Sequence, residues 1–284
     1  MTYAVVHLKD RFPFLGENDC DPTLELYLPE AIKEGTAWNL EWQQKRPCIL
    51  VCPGGGYWAC SRREAEPVAL HFLPEGFNVF VLTYSTKEED RFPTQIREVA
   101  AAMELIYENA EHWCCDPARI AIMGFSAGGH LAAHYTNYYK CKEVRALFPE
   151  SKPANACILG YPVITADPVF CHRGSIEKIA GHFPLAQEEY PIYSCECQVT
   201  EETPPTFIWH TAEDTTVPVQ NSLRYASALA FHKVPFEYHV FPYGSHGRST
   251  ADLQSCKEIE PGMEYLSDWL TCAKKWLKMV FKTP

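Results

Sequence analysis

The sequence predicts a single α/β domain built on a mainly parallel sheet that helices cover on both faces. Short apolar runs rich in β-branched and aromatic residues recur along the 284 residues, and segments with helical patterning separate them. Strands that are apolar on both sides are typical of parallel sheets buried between helix layers. With 46% hydrophobic and 21% charged residues, the chain can bury one large core. The predicted domain spans residues 1–284.

The predicted elements alternate in chain order. The parallel strands are expected at residues 48–52, 78–84, 119–124, 156–164, 206–211 and 236–241. Helical patterns lie between or after them, at residues 62–74, 93–112, 127–139, 219–232 and 263–280. Two strand-like segments, 3–8 and 23–28, precede this alternation. We therefore expect them to form an antiparallel edge of the sheet.

Two stretches interrupt the alternation. Residues 166–204 contain four prolines with a fifth directly after them, several aromatic residues and only one short helical pattern. A connection of this length inside a compact domain is typically functional, so we expect a lid-like insertion. Its aromatic side chains either stack on a ligand or bury themselves against neighbouring helices. Residues 29–47 form a second irregular connection, which we expect at the surface.

Charge and hydropathy exclude several kinds of partner. A formal net charge of -11 argues against binding to nucleic acid or to an anionic membrane surface, since both require clustered Lys and Arg. No stretch approaches the roughly 20 apolar residues of a membrane span. The first residues lack the basic start and apolar core of a secretory signal, so we expect a cytoplasmic protein.

The thirteen cysteines are interpreted as reduced thiols that pack in the core. Their number is odd, and several fall inside predicted strands: Cys48, Cys52 and Cys157. Two groups could suggest a metal site, residues 114–115 and residues 195–197 with His172 and His182 upstream. Neither has the paired ligand spacing of zinc sites, so we expect no bound metal.

A glycine-flanked serine joins the predicted strand 119–124 to the helix that follows. The sequence Gly124-Phe125-Ser126-Ala127-Gly128 has the pattern G-x-S-x-G in a strand–turn–helix setting. Such a turn holds the serine in a strained conformation with its Oγ exposed, as a nucleophile requires. Ser126 is therefore the candidate nucleophile. The alternative is a glycine-rich turn in which the serine only caps the helix.

A run of glycines follows the predicted strand 48–52, in the sequence CPGGGYW. Consecutive glycines can present backbone N–H groups to a developing oxyanion. We expect donors from Gly55 and Gly56, with Ala127 supplying another at the start of its helix. The alternative is a flexible loop without a role, although Pro53 should stiffen this segment.

An acidic residue and a histidine follow the last two predicted strands. Asp214, in HTAEDTTVP, is preferred to Glu213 as the carboxylate because it lies deeper in the turn, although it could instead cap the helix near Pro218. His246 lies on the glycine-flanked loop YGSHGRS. The chain order of Ser126, Asp214 and His246 is that of a nucleophile, its acid and its base.

These blocks resemble the α/β-hydrolases, and more narrowly the bacterial acetyl-esterase or acetyl-xylan-esterase-like proteins, also called sugar hydrolases. The resemblance rests on GFSAGGHLAA, PPTFIWHTAEDTTVPVQNSLRYASAL and GSHG, and it extends from about residue 22 to the end. Relatives of the hormone-sensitive-lipase type carry His-Gly-Gly-Gly, whereas this chain has Pro-Gly-Gly-Gly at 53–56. The sequence fits the sugar-esterase-like branch better, because the backbone donors are kept while that histidine is absent.

The residues and the resemblance together predict hydrolysis of an ester without metal or organic cofactor. Ser126 would attack the acyl carbon, His246 would accept and return the proton, and Asp214 would orient His246. The expected partner is a small ester with a short acyl group, such as an acetylated sugar. A homodimer, a serine exopeptidase with the same three residues, and an inactive binding protein on this fold stay open.

Two aromatic residues follow the glycine run directly. Tyr57 and Trp58 are candidates for the wall of an acyl pocket, which would favour a short acyl group such as acetyl. Aromatic side chains are also common in protein cores, so core filling is the alternative for both.

Overall fold

Eight strands form one sheet in the computed structural model, which describes residues 1–30, 45–259 and 261–283. They are β1 (Thr2–His7), β2 (Thr23–Leu28), β3 (Arg46–Cys52), β4 (Asn78–Thr83), β5 (Cys115–Phe125), β6 (Ala156–Gly160), β7 (Thr206–Thr211) and β8 (Phe236–Phe241). Their spatial order is β1-β2-β4-β3-β5-β6-β7-β8. The surface connection expected at 29–47 lies mostly outside the described residues.

Strand direction divides the sheet into two parts. All neighbouring pairs from β4 to β8 are parallel. By contrast, β2 runs antiparallel to both β1 and β4. The predicted antiparallel edge is therefore confirmed. Every residue of β6 and β7 is buried, whereas β8 at the sheet edge exposes part of its surface, as expected when helices cover both faces of the central strands.

Helices cover both faces of the sheet. They are α1 (Leu8–Arg11), α2 (Glu66–Phe72), α3 (Thr94–Glu108), α4 (Ser126–Tyr138), α5 (Lys142–Arg145), α6 (Arg173–Ala180), α7 (Tyr190–Tyr193), α8 (Gln220–Phe231), α9 (Met263–Leu266) and α10 (Asp268–Phe281). One buried cluster joins α3, α4 and α8 to the sheet, and a second joins α2 and α10 to its other face. Within the described ranges, none of these helices has the length and apolar character to span a membrane.

Some predicted boundaries differ from the observed ones. The strand expected at 156–164 ends at Gly160, because Tyr161 has a left-handed φ of 35° and Val163 N–H bonds to Ser126 C=O instead of a neighbouring strand. The helix expected at 62–74 is split into α2 and two flanking 3-10 turns. The helix expected at 263–280 forms as the separate helices α9 and α10.

The segment 166–204 contains more helix than its sequence predicted. It forms α6, α7 and a 3-10 turn at Cys195–Gln198. Backbone bonds tie it to the domain, since Cys195 N–H donates to Ile164 C=O and Ala166 N–H donates to Ser194 Oγ. The described segment is thus packed onto the domain, and its role as a lid stays a prediction.

A buried carboxyl group on α3 predicts how stability depends on pH. Glu98 is fully buried and accepts hydrogen bonds from the N–H and the hydroxyl of Ser85. Burial raises its pKa from 4.5 to about 8, because a low-dielectric environment disfavours the charged form. Between these two pH values the folded protein keeps a proton that the unfolded chain has lost. This group therefore lowers the free energy of unfolding as the pH rises through that range.

Glu98→Gln removes this titration while keeping an acceptor for Ser85 N–H. We expect the melting temperature of the variant, relative to that of the wild type, to increase steadily between about pH 5 and pH 9. Thermal unfolding of both proteins across this range measures the difference. A difference that stays constant with pH would contradict the assigned protonation of Glu98.

Candidate active site

A sharp turn between β5 and α4 presents Ser126 at the carboxyl end of the sheet. Ser126 has a φ of 53°, a left-handed conformation that is strained for a residue other than glycine. The turn needs close packing, since a Cβ on Gly128 would lie 2.1 Å from the carbonyl oxygen of Cys52. The Ser126 side chain does not cap α4, so the capping alternative does not describe it.

The three predicted polar residues meet in one hydrogen-bonded chain. Ser126 Oγ lies 2.8 Å from His246 Nε2, and His246 Nδ1 lies 2.6 Å from Asp214 Oδ2. They follow β5, β8 and β7 respectively, so the carboxyl ends of three parallel strands bring them together. The Asp214 side chain is fully buried, whereas the His246 side chain is 16% exposed. The imidazole thus lies nearer to solvent than the carboxylate.

The surroundings of Asp214 favour its charged form. Burial alone would raise the pKa of Asp214, but hydrogen bonds from His210 and His246 outweigh burial and hold it well below its usual value. Its Oδ1 also accepts the N–H groups of Thr216 and Val217, each at 2.9 Å. Because a carboxylate only accepts, His246 Nδ1 must donate. This leaves Nε2 to accept the Ser126 proton.

The structure also distinguishes Asp214 from its neighbour Glu213, and a role beside His246 from a role as a helix cap. Glu213 Oε1 accepts the N–H of Gly244 at 2.9 Å, so the hydrogen bond to His246 comes from Asp214. The helix near Pro218 begins at Gln220 without a side-chain cap. Asp214 therefore does not cap this helix, although it stabilises the turn before it through Thr216 and Val217.

The glycine loop after β3 leaves backbone donors available. Gly55 and Gly56 adopt φ values of 127° and 67°, and a Cβ on Gly55 would lie 2.1 Å from the carbonyl oxygen of Ala59. Gly54 N–H donates to Glu64 at 2.7 Å. Within the described part of the chain, no acceptor bonds the N–H of Gly55, Gly56 or Ala127. These three predicted oxyanion donors are free to bind a substrate.

The two aromatic residues after the glycines have different environments. Tyr57 is fully buried, and its hydroxyl donates to His130 Nδ1 at 2.8 Å. The core-filling alternative therefore describes Tyr57 better than the pocket wall. Trp58 is 58% exposed, with Lys178 Nζ lying 5.1 Å from its ring centroid. Pocket lining by Trp58 stays a prediction.

The segment 166–204 places one side chain close to the glycine loop. A Cβ on Gly56 would lie 3.9 Å from Ser175 Oγ on α6. Ser175 is buried and bonds to His172 Nδ1 at 2.8 Å. Burial lowers the pKa of His172, and the nearby charge of His246 lowers it further. Both effects disfavour the charged form of His172, which belongs to the segment 166–204.

Among the residues in the described ranges, one group of side chains could hold a metal ion. Ligand atoms of Glu237, His239 and Cys272 lie within 4.8 Å of one another. Glu237 and His239 are on the edge strand β8 and bond to each other at 2.7 Å. Neither cysteine group noted in the sequence forms such a cluster among the residues that the structure describes.

A comparison with family models identifies the relatives of this chain. The BD-FAE model matches residues 37–229, which is more than half of the chain. The chain belongs to the BD-FAE family. Its structure has the α/β-hydrolase fold, as does the solved structure of an α/β-hydrolase enzyme from a deep-sea metagenome library, with a TM-score of 0.74, 30% identity and coverage of 99% of this chain and 98% of the other.

Two curated relatives and one further solved structure are similar to this member of the BD-FAE family. Endo-1,4-beta-xylanase B of Butyrivibrio fibrisolvens is 39% identical over 73% of this chain and 33% of its own length. Acetylxylan esterase of Xylanibacter ruminicola is 30% identical over 70% of this chain and 40% of its own length. The acetyl ester-xyloside bifunctional hydrolase of Caldicellulosiruptor lactoaceticus is 30% identical, with a TM-score of 0.81 and coverage of 98% and 96%. The match thus spans less than half the length of both curated relatives.

Proposed function

We propose that this chain is a serine carboxylesterase that removes short acyl groups, in particular acetyl, from sugars or oligosaccharides. The observation that carries this proposal is the hydrogen-bonded chain from Ser126 Oγ through His246 to Asp214. A hydroxyl aligned with a neutral imidazole and a buried carboxylate is suited to nucleophilic attack on an acyl carbon.

The reaction proceeds in two steps. His246 Nε2 takes the hydroxyl proton as Ser126 Oγ bonds to the acyl carbon, and it returns that proton to the leaving alcohol. The acyl group is then bound to Ser126 as an ester. Water, deprotonated by His246, attacks this ester, and His246 passes that proton to Ser126 Oγ as the acid leaves. Asp214 keeps the imidazole in the required tautomer and stabilises its charged form during both steps.

Backbone N–H groups stabilise the charge that develops on the acyl oxygen. Gly55, Gly56 and Ala127 are the donors, because their N–H groups have no acceptor in the described structure. They belong to the glycine loop and to the first turn of α4, which begins at Ser126. Each donor of this kind contributes about 3 kcal/mol to catalysis in acyl transfer.

The substrate class is proposed from the relatives and from the surface beside Ser126. Two similar proteins are named for acetyl ester or acetylxylan hydrolysis. The exposed ring of Trp58 and the side chain of Ser175 on α6 lie next to the glycine loop. An aromatic surface of this kind can pack against the apolar face of a sugar ring.

Turnover of esters of increasing acyl length on one fluorogenic alcohol tests this proposal. We expect kcat/KM to be highest for acetyl and to fall as the chain lengthens, and we expect acetylated xylose or mannose oligomers to release acetate. A dipeptide anilide serves as the comparison substrate, because a serine exopeptidase would use the same three residues. Faster cleavage of the anilide than of every ester would replace the proposed esterase with that alternative.

A further inference from the structure

We infer that Glu64 is a positioning residue that holds the glycine loop and the loop carrying His246 in their working arrangement. This inference rests on the proposed function, since it assigns Glu64 a role in the same acyl transfer. The side chain of Glu64 is buried, yet its neighbours Arg62, Arg63 and Glu66 in the chain are exposed. A single acidic side chain turned into the protein requires partners for its two oxygens.

One carboxylate oxygen of Glu64 anchors the glycine loop. Gly54 N–H donates to Oε2 at 2.7 Å. A Cβ on Gly54 would lie 2.8 Å from that oxygen and 2.9 Å from Ser126 Cβ, so Gly54 packs tightly against both the carboxylate and the nucleophile. With Gly54 N–H occupied, the N–H groups of Gly55 and Gly56 stay available for the oxyanion. Glu64 thereby fixes the first glycine while the next two remain donors.

The other oxygen reaches the histidine loop through Tyr161. Tyr161 donates its hydroxyl proton to Glu64 Oε1 at 2.6 Å. The Tyr161 ring packs edge-on against His246, with 4.9 Å between the ring centroids. Its hydroxyl oxygen also accepts the N–H of Ser249 at 3.0 Å, three residues after His246. The buried carboxylate of Glu64 is therefore connected both to the glycine loop and to the loop that carries His246.

The charge of Glu64 also acts on His246. Burial raises the pKa of Glu64, while hydrogen bonds from Tyr161 and Gly54 and the charge of His246 oppose that rise. By reciprocity, a carboxylate at this position favours the imidazolium that forms when His246 takes the proton. Among the described residues, the other charged or titratable groups that face these two residues include Arg63, Tyr84, Asp214 and His172.

The test compares Glu64→Gln with Glu66→Gln, which removes the same charge from an exposed position two residues away. For Glu64→Gln we expect kcat on p-nitrophenyl acetate to fall about 10- to 100-fold with KM within about threefold, because a displaced oxyanion donor lowers the rate of the chemical step. The acidic limb of the rate profile should move to lower pH, because the imidazolium loses a favourable charge. Glu66→Gln should match the wild type in both measurements.

If Glu64 only supports folding, Glu64→Gln should lower the melting temperature or the fraction of active sites that can be titrated. The acidic limb of the pH–rate profile should then stay in place. A Glu64→Gln protein with kcat within about twofold of the wild type and an unmoved limb overturns the inference. If this variant does not fold, Tyr161→Phe decides the question. It keeps the ring against His246 but removes the hydroxyl between Glu64 and Ser249. We expect it to lower kcat about fivefold or more, and an unchanged kcat would overturn the inference.

Labelling by a fluorophosphonate separates this inference from the substrate proposal. The Ser126 Oγ–phosphorus bond forms as fluoride leaves and His246 accepts the proton, so no ester substrate is needed. Slower labelling of Glu64→Gln than of Glu66→Gln supports the inference even if acetyl esters are not hydrolysed. Equal labelling rates overturn it, whatever the natural ester is. A wild type that is not labelled at all overturns the inference together with the proposed function.

Discussion

Ser126→Ala is expected to lower kcat on an acetyl ester by about 10⁴-fold or more, while the melting temperature changes by a few degrees at most. The loss is large because no other group can form the acyl bond, and residues of a catalytic unit cost rate far more than stability. The side chain makes one described hydrogen bond, to His246 at 2.8 Å. Alanine must adopt the same left-handed turn as serine, so the backbone strain is similar in both proteins.

Steady-state hydrolysis of p-nitrophenyl acetate and a thermal melt check this expectation. Ser267→Ala is the matched control, because Ser267 directly precedes α10 and its hydroxyl donates to Glu264 C=O at 2.7 Å. It should retain the wild-type kcat. If Ser126→Ala kept more than about a tenth of the wild-type kcat, Ser126 could not be the nucleophile.

Asp214→Asn is expected to lower kcat by about 10³- to 10⁴-fold with the fold intact. The asparagine oxygen can still accept the N–H groups of Thr216 and Val217. Its amide group then donates towards His246 Nδ1, so the imidazole carries its proton on Nε2. That nitrogen can no longer take the proton of Ser126.

Glu213→Gln is the control for this substitution because it changes the neighbouring acid in the same way. Its amide oxygen can still accept Gly244 N–H, so kcat should stay near that of the wild type. Turnover of both variants and their circular dichroism spectra provide the comparison. A large loss in Glu213→Gln with little loss in Asp214→Asn would reverse the assignment of the carboxylate.

Much of the fold could be predicted because the central strands are buried on both faces. Strands β2, β7 and β8 have the predicted bounds, and the helices at 93–112, 127–139 and 219–232 form within four residues of them. The end of β6 could not be predicted. The apolar run continues past Gly160, and only the left-handed turn at Tyr161 ends the strand. An apolar pattern indicates burial, and it does not indicate where pairing stops.

The structure of the segment 166–204 is harder to predict because its helices are short. The 8-residue α6 and the 4-residue α7 lie among prolines, and helical periodicity needs a longer window. Their stability comes from packing, such as the buried side chains of Ile176 and Ile179. Tertiary contacts of this kind cannot be read from local sequence.

Some residues of the candidate site could also be predicted from the sequence, and others could not. Ser126, Asp214 and His246 could be predicted because each follows a strand whose carboxyl end faces the same edge of the sheet. Glu64 could not, since it lies in the charged run RREAE and its inward position depends on hydrogen bonds from the distant residues Gly54 and Tyr161. The inward position of Tyr57 follows from its φ of 66° and its bond to His130, which the sequence does not indicate.

Mass spectrometry of the protein after reaction with a fluorophosphonate tests most directly whether Ser126 is the activated nucleophile. We predict a single covalent adduct on the peptide that contains Ser126, formed much more slowly in His246→Ala and absent in Ser126→Ala. An adduct on another residue, or full ester hydrolysis while Ser126 stays unmodified, would contradict the account.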